Sequence, residues 1–433
     1  MDPHSKWCHN RGCRAYGRQG EGHVVIHSRK ERRYQCKRCS RTFSETTDTA
    51  LYRMHKPRWL VVAVLTLLTY GCPVQAIVAA FDLDERTVAR WQRKSGSQCR
   101  RVHEHLIEAG RVALLQVQAD EIRVKAVGGI FWLACALEVR SRLWLGGVIS
   151  RHRDGGLVRR LLIRVRGCGS VGSILLVTDG FASYKSQALQ LFREPLRTGK
   201  AGRPRLVLPG GVMIARVIKR YQRRRVVEVM RHVVVGAEAE VISRVIGTQH
   251  SIRALINTAY VERLNATFRA RLAPLVRRTR AGAHKRTTLE AGMWLVGGCY
   301  NLLWAHRTLG AERTPAMAAR LTDHRWSMEE LLSFAVPPVE LPSVLDLIYN
   351  LSCPLQTLNG EGQQQADDLQ LETSWRYRVD LPGNQRAQVS ENRLDVLASG
   401  LAQKLLPCSH RPLGSLLSLG FERCKPTSLS KSS

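Results

Sequence analysis

Hydrophobic patterning marks the first half of the chain most clearly. WLVVAVLTLLTYGCPVQAIVAAF, residues 59–81, holds no charged residue over 23 positions. About 20 apolar residues suffice to cross a membrane, so length alone would suggest a span. Gly71 and Pro73 interrupt the run, however, and Gln75 lies inside it. We therefore predict two short buried helices joined at Gly71-Cys72-Pro73, and no membrane partner.

The next segment changes from apolar to basic. Asp84 is a plausible N-cap for a third helix, DERTVARWQRKSG, in which Val88 and Trp91 face inward. A short helix, a tight turn and a basic helix are typical of a helix-turn-helix. The alternative is an ordinary helical hairpin in a core. The polar residues offered to the major groove or the phosphates are Arg86, Thr87, Arg90, Gln92 and Arg93.

Residues 112–250 alternate between strand and helix patterns. VALLQVQADEIRVK, GIFWLACALEV and RLWLGGVIS predict three strands, GLVRRLLIRVRG predicts an amphipathic helix, and SILLVTDGFASY predicts a buried strand. RRRVVEVMRHVVVG is either a strand or a strand–helix step. Three strands in series followed by helix, strand and helix is the order of an RNase H-like α/β domain. Helical patterns follow over residues 255–335.

These patterns predict four regions. We expect a zinc-ribbon domain over 1–50, an all-α helix-turn-helix domain over 51–105, an RNase H-like α/β catalytic domain with C-terminal helices over 106–336, and a loosely ordered tail over 337–433. The tail has Pro pairs, a Gln run and Ser-rich ends. Short helices are expected within it at 341–350 and 390–406.

Charge indicates the partner. The chain has 67 Lys and Arg against 35 Asp and Glu, a net charge of +32. The last 97 residues carry nine basic and ten acidic residues, so the excess lies before residue 337. Because phosphate contacts dominate nucleic-acid affinity, this surplus favours double-stranded DNA over an anionic membrane surface. The polar N-terminus carries no apolar signal-peptide region, so we expect a cytoplasmic, nucleoid-associated protein.

Four of the twelve cysteines lie in the first 39 residues. They form C-x4-C and C-x2-C pairs with 22 residues between them. Two knuckles joined by a ribbon, with strands GHVVIHS and RRYQCKRC, would give a tetrahedron of thiolates suited to structural Zn²⁺. His9, His23 and His27 are the alternative ligands. The expected ligands are Cys8, Cys13, Cys36 and Cys39.

Acidic residues are scarce in the middle of the chain. Asp120 ends the apolar stretch VALLQVQAD, and Asp179 follows ILLVT. Neighbouring strands would bring these carboxylates together, where like charges repel. Two Mg²⁺ ions, or Mn²⁺, would remove that conflict and clamp a phosphate. Glu121 is the alternative to Asp120, because alternation points only one of them at the site.

A third carboxylate comes from a basic helix. Ten Lys or Arg lie between Glu240 and Glu290, and Glu262 is the only acid among them. A metal ligand surrounded by residues that hold the DNA backbone accounts for this pattern; a surface ion pair is the alternative. The helical neighbours assigned to DNA are Arg263, Asn265 and Arg269.

These segments resemble the DDE transposases of bacterial insertion sequences, in particular the group typified by insertion sequence one. The resemblance covers about residues 5–335 and is carried by RRYQCKRCSRTFSET, VQAIVAAFDLDERTVARWQRK, QADEIRVK, VTDGFASY, NTAYVERLNATFR and YNLLWAHRTLG. The spacings are 59 residues from Asp120 to Asp179 and 83 from there to Glu262. Two departures are Arg123, where the family commonly has an aromatic residue, and the tail after 337.

The resemblance implies an RNase H-like core in which Asp120, Asp179 and Glu262 bind metal. It also implies binding to terminal inverted repeats, hydrolysis that frees a 3′-OH, and attack of that 3′-OH on target DNA, carried out by a homo-oligomer that pairs two ends. Two other functions remain open. One is a DNA-binding regulator, or decayed transposase, that uses only the ribbon and the helix-turn-helix. The other is a Mg²⁺-dependent nuclease that does not join strands.

Overall fold

The computed structural model describes residues 1–196, 203–223, 225–276, 282–338, 377–380 and 386–389. The chain divides into two compact units, Met1–Glu340 and Leu341–Ser433. In the second unit, two short strands, Tyr377–Asp380 and Arg386–Val389, pair antiparallel. The helices expected at 341–350 and 390–406 lie outside the described residues.

The chain begins with a three-stranded antiparallel ribbon. Tyr34 and Phe43 stack at 5.8 Å between ring centroids and pack with Val24 into a small apolar cluster. This confirms the predicted ribbon strands. They are β1 (Val24–Ser28), β2 (Arg33–Cys36) and β3 (Thr42–Ser44).

The uncharged run folds as two helices, α1 (Arg58–Thr69) and α2 (Val74–Phe81), as predicted. Among the described residues, no helix has both the length and the apolar character needed to cross a membrane. Helix α3 (Glu85–Leu106) starts at the predicted cap, where Asp84 Oδ1 accepts from the Arg86 amide at 2.7 Å. It continues past Gly96, the last residue of the stretch DERTVARWQRKSG that was predicted to start it. That glycine lies against a later helix, where a Cβ would be 2.3 Å from the Ala291 carbonyl oxygen.

A six-stranded mixed sheet follows, in the order β11-β10-β7-β4-β5-β6. Strand β7 runs parallel to β4 and β10, and the other neighbours are antiparallel. The predicted strands and amphipathic helix are present; β10 was not predicted. The elements are β4 (Gln116–Ala126), β5 (Gly129–Glu138), β6 (Trp144–Ser150), α4 (Gly155–Cys168), β7 (Leu175–Thr178), α5 (Ala182–Leu191), β8 (Glu194–Pro195), β9 (Leu206–Val207), β10 (Met213–Gln222) and β11 (Arg225–Val235).

Helices complete the first unit, with 3₁₀ turns at Ala273–Leu275 and Arg307–Leu309. The fold is therefore mixed α/β, with helices before, between and after the strands of the sheet. The closing helices are α6 (Glu238–Gln249), α7 (Ala259–Arg271), α8 (Arg286–Leu302), α9 (Pro315–Ala318) and α10 (Met328–Ser333).

Helix α8 joins the N-terminal helices to the sheet in one continuous apolar core. The buried Asn301 side chain accepts from the Trp144 amide and donates to the Trp144 carbonyl, both at 2.9 Å. It thus satisfies backbone groups at the start of β6 that would otherwise be buried without partners. The Trp144 ring packs against Trp294 with 5.2 Å between centroids, in space left by Gly297.

We predict that Gly297→Ala destabilises the fold. A Cβ at this position would lie 1.9 Å from Cζ3 of Trp144, so the buried ring must move. Overpacking of this kind lowers the free energy of unfolding by about 3 kcal/mol. Urea denaturation monitored by tryptophan fluorescence measures it.

Gly247→Ala is the matched control. Gly247 also lies in a helix, α6, but a Cβ there would meet no neighbouring side chain or strand within 4 Å. The better helix propensity of alanine raises stability there by up to about 1 kcal/mol. Equal urea midpoints for the two variants would contradict the packing account.

Candidate metal centres and the acidic cleft

The four predicted cysteines meet at the ribbon. Their Sγ atoms all lie within 4.8 Å of one another, with Cys8 and Cys39 at 3.6 Å and Cys13 and Cys36 at 3.9 Å. Four sulfurs about 2.3 Å from a tetrahedral Zn²⁺ are about 3.8 Å apart. The donor set and spacing are therefore compatible with zinc.

The thiols differ in acidity. Burial raises the pKa of Cys8. Burial also acts to raise the pKa of Cys39, but the backbone amide of Arg41 and the neighbouring polar groups outweigh it and lower that pKa to about 7. A cation among the four sulfurs favours the thiolate form of each.

The alternative histidine ligands are placed elsewhere. His9 Nδ1 lies 2.6 Å from the Asp48 carboxylate, and its ring packs on Phe43. His23 is buried, with Nδ1 3.7 Å from Glu21. His27 is exposed on β1. The cluster in the described part of the chain contains cysteines only.

The second cluster lies where β4 and β7 run side by side. Ala119 pairs with Thr178, so Asp120 and Asp179 follow at the same level of the sheet. Carboxylate oxygens of Asp120, Glu121 and Asp179 lie within 4.8 Å of one another. The expected approach of the two aspartates is observed, and Glu121 reaches the same cluster.

A cleft of about 810 Å³ opens over these acids. Glu262, in the first turn of α7, lines it with Asp120 and Asp179 but stands apart from the three-acid cluster. Its Oε1 accepts from Lys219 Nζ at 2.5 Å and from Thr258 Oγ1 at 2.6 Å. Three carboxylates from β4, the end of β7 and α7 therefore share one cleft.

The side chain of Gln118 fixes α7 against β4. Its Oε1 accepts from the amides of Tyr260 and Val261, both at 3.0 Å, and its Nε2 donates to the Asn257 carbonyl at 2.7 Å. Gln118 and Asp120 lie two residues apart, on one face of the strand. Sequence reasoning missed this residue. The signal in the sequence was a glutamine inside the apolar run LLQVQAD, and the structure buries it fully.

Asn265 makes the second link between helix and strand. Its Nδ2 donates to Asp120 Oδ2 at 2.8 Å, and the side chain is buried. The predicted DNA-contacting asparagine therefore holds an acid of the cleft. Arg263 is exposed, and Arg269 lines the cleft.

Two cations that sequence reasoning missed neutralise the acids. An Arg153 amino group lies 2.8 Å from Glu121 Oε2 and 3.0 Å from Asp179 Oδ2. The guanidinium also lies 4.3 Å from the centroid of the Phe181 ring, which favours a cation. Lys219, on β10, pairs with Glu262. Asp154, next to Arg153, caps α4 by accepting from the Leu157 amide at 2.8 Å.

Burial and mutual repulsion shape the electrostatics of the cleft. Burial raises the pKa of Asp120, and the neighbouring Asp179 and Glu262 raise it further. Burial also raises the pKa of Glu121. At Glu262 the effect of burial is outweighed by hydrogen bonds from Lys219 and Thr258, and the pKa is lowered.

One buried oxygen at this site, Asn265 Oδ1, has no hydrogen-bond partner in the described structure. The Glu121 carboxylate interacts with the buried Tyr184 hydroxyl. Buried polar atoms are normally satisfied. Oxygen donors gathered around carboxylates are the ligands that Mg²⁺ prefers, so the residues present fit a divalent cation.

The basic helix α3 presents only part of its predicted surface. Arg86, Arg90 and Arg93 are exposed, and Thr87 is half-buried. Gln92 is half-buried against α8. Its Nε2 lies close to Gly292, 3.1 Å from the point that a Cβ at that residue would occupy. As predicted, the buried face carries Val88 and Trp91. On β4, Arg123 is exposed opposite Trp132.

Comparison with known proteins adds little to this geometry. No protein-family model matches the chain, and no curated protein matches it. A solved structure of the simian T-cell lymphotropic virus intasome, in complex with PP2A regulatory subunit B56 gamma, is similar at a TM-score of 0.23 and 11% identity. That match covers 76% of this chain and 85% of the other. Similarity at this level carries no argument, so the functional conclusion depends on the two clusters and the cleft.

Proposed function

We propose that this chain is a transposase of the DDE type, which cuts DNA at the ends of an insertion sequence and joins them to target DNA. The observation that carries the proposal is the convergence of Asp120, Asp179 and Glu262 in one cleft lined by basic side chains. A divalent cation would relieve the repulsion among these carboxylates more fully than the paired Arg153 and Lys219 do, and the basic side chains of the cleft suit phosphate.

The order of elements supports an RNase H-like core. Strands β4, β5 and β6 follow one another and are succeeded by α4, β7 and α5. This is the series of three strands, helix, strand and helix that the sequence resemblance implies. The proposed catalytic domain is 106–336, after a zinc-ribbon domain (1–50) and a helix-turn-helix domain (51–105).

Asp120 and Asp179 are the residues that would hold Mg²⁺ or Mn²⁺, with Glu262 as the third ligand and Glu121 beside them. Two bound ions would supply a nucleophile at neutral pH and neutralise charge on the scissile phosphate. Gln118 and Asn265 hold α7 against β4, which keeps Glu262 over the aspartates. Loss of such supporting hydrogen bonds typically costs 10- to 100-fold in activity or metal affinity.

The cations of the cleft have a second use in this proposal. Arg153 and Lys219 pair with the acids that would bind metal. When those acids bind metal, the two cations become available to the phosphates on either side of the cut. Arg269 lines the same cleft, and Arg263 extends the basic surface of α7.

DNA recognition is assigned to the N-terminal regions. The Cys8, Cys13, Cys36 and Cys39 thiolates would hold one structural Zn²⁺, and the exposed arginines of α3 would contact element ends. Pairing of two ends by a homo-oligomer, which the resemblance implies, and location at the nucleoid are further parts of the proposal.

We predict that Glu262→Gln abolishes nicking. The change keeps the shape of the side chain but removes a metal ligand. The loss should reach at least about 100-fold, because even supporting residues around a metal cost up to that factor. The assay follows nicking, with Mg²⁺ or Mn²⁺, of DNA that flanks the reading frame.

Glu240→Gln is the control, since Glu240 is an exposed acid in the first turn of α6, outside the cleft. It should nick like the wild type. Tight DNA binding without nicking by the wild-type protein would reject the enzyme and favour a DNA-binding regulator. Nicking without joining of a pre-cut 3′-OH end would favour a nuclease.

We also predict about one zinc ion per chain, lost in Cys36→Ser. Removing one thiolate opens the tetrahedron, and the ribbon gains its folding energy from the metal. Zinc content by mass spectrometry, with ribbon structure by NMR, measures both effects. Cys72→Ser, a half-buried thiol outside the cluster, should keep its zinc. Equal zinc in both variants would contradict the assignment.

A further inference from the structure

The hairpin formed by β10 and β11 extends past the sheet. Strand β7 pairs with Met213–Arg216 only, whereas the pairing with β11 continues to Gln222. Residues 217–222 thus have β11 as their strand partner in the described part of the chain. We call these residues and their partners on β11 the arm (residues 217–223 and 225–231); residues 217–222 span about 20 Å at about 3.3 Å per residue. The base of the arm packs on the core through the buried Val217, and β10 is exposed from Arg220 to its end.

The arm is strongly basic. Residues 217–231 include six Lys or Arg and one acid, Glu228. That acid is paired with Arg220 at 3.1 Å. Arg223 and Arg225, at the turn, are exposed. So much positive charge on a narrow two-stranded segment indicates a polyanionic partner.

Apolar side chains lie exposed among these charges. Tyr221 is 64% exposed, and its cross-strand partner Val226 is 48% exposed. Val227 follows at 58%. Exposed apolar surface rimmed by charge is typical of an interaction site, and here the basic rim selects nucleic acid as the partner.

The arm is continuous with the acidic cleft. Lys219 pairs with Glu262, and Tyr221 lies two residues further on the same strand. Both side chains line the cleft, together with Val217 near the base of the arm. The exposed ring therefore stands at the rim of the cleft in which the carboxylates converge.

We infer that the arm binds an unpaired DNA strand as it enters the cleft, with the Tyr221 ring stacked on one of its bases. An aromatic face stacks on any unpaired base without reading its sequence, while arginines follow the phosphates. Inside a paired duplex both faces of each base are covered by its neighbours, and a blunt end offers only the outer face of its last pair, so the ring contributes most where the bases at an end are unpaired. This inference rests on the proposed function and names the form of DNA that the same cleft takes.

Binding in Ca²⁺, which withholds cleavage, tests the inference. Two oligonucleotide duplexes that share one strand are compared, and the shared strand carries 2-aminopurine near one end. The other strand is fully complementary in the blunt duplex and has three mismatched bases at that end in the open duplex. We expect the wild type to bind the open end more tightly. Tyr221→Ala should weaken binding of the open end about tenfold and reduce the 2-aminopurine fluorescence change, with a much smaller effect on the blunt duplex. Tyr221→Phe should behave as the wild type.

Tyr70→Ala provides a matched control, because Tyr70 is 53% exposed and does not line the cleft. It should bind both duplexes as the wild type does. The inference is overturned if Tyr221→Ala binds the open end normally, or if it weakens both duplexes equally. A Tyr221→Ala protein that instead loses self-association in sedimentation would assign the arm to contacts between copies.

The nicking assay separates the two proposals. If the wild type nicks DNA and Tyr221→Ala binds open ends normally, the arm inference fails and the proposed function stands. If the wild type binds neither duplex, both fail.

Discussion

Repulsion among the carboxylates of the cleft is the constraint on which the structure of the first unit depends. Asp120, Glu121 and Asp179 bring oxygens within 4.8 Å, and burial raises the pKa of the first two. Such a cluster persists only if the surrounding structure supplies positive charge and a rigid frame. Arg153 and Lys219 supply the charge, and hydrogen bonds from β4 to α7 supply the frame.

The frame extends far from the acids. Helix α7 is held by Gln118 and Asn265, and α8 is held to β6 by the two hydrogen bonds of Asn301. Since α8 also packs closely on α3 at Gly96, the basic helix and the cleft share one core. Buried amide side chains thus fix the spacing of elements at three points: Gln118 and Asn301 satisfy backbone groups, and Asn265 binds a carboxylate.

Most of the helices and strands could be predicted from the sequence, because hydrophobic segments and the Gly and Pro residues that interrupt them were clear. Gly71 and Pro73 divided the uncharged run, and short apolar runs indicated β4, β5 and β6. Strand β10 was missed because its outer half carries polar residues on both faces, as expected of an arm without a sheet beside it.

Alternation along a strand also implied that only one acid of the Asp120–Glu121 pair faces the site. In the structure both acids reach the cluster. Asp120 Oδ1 accepts from the Glu121 amide, and the longer Glu121 side chain shares Arg153 as a hydrogen-bond donor with Asp179.

Arg153 and Lys219 could not be identified from spacing, because their partners are 26 and 43 residues away. Their position has a thermodynamic consequence under the proposed function. Any ion that binds the acids must displace these cations, and any phosphate that binds the cations releases the acids. Each ligand then lowers the cost of binding the other, and by linkage the effect is equal in both directions. A cleft of this kind disfavours metal without DNA and DNA without metal, which confines the chemistry to the assembled complex.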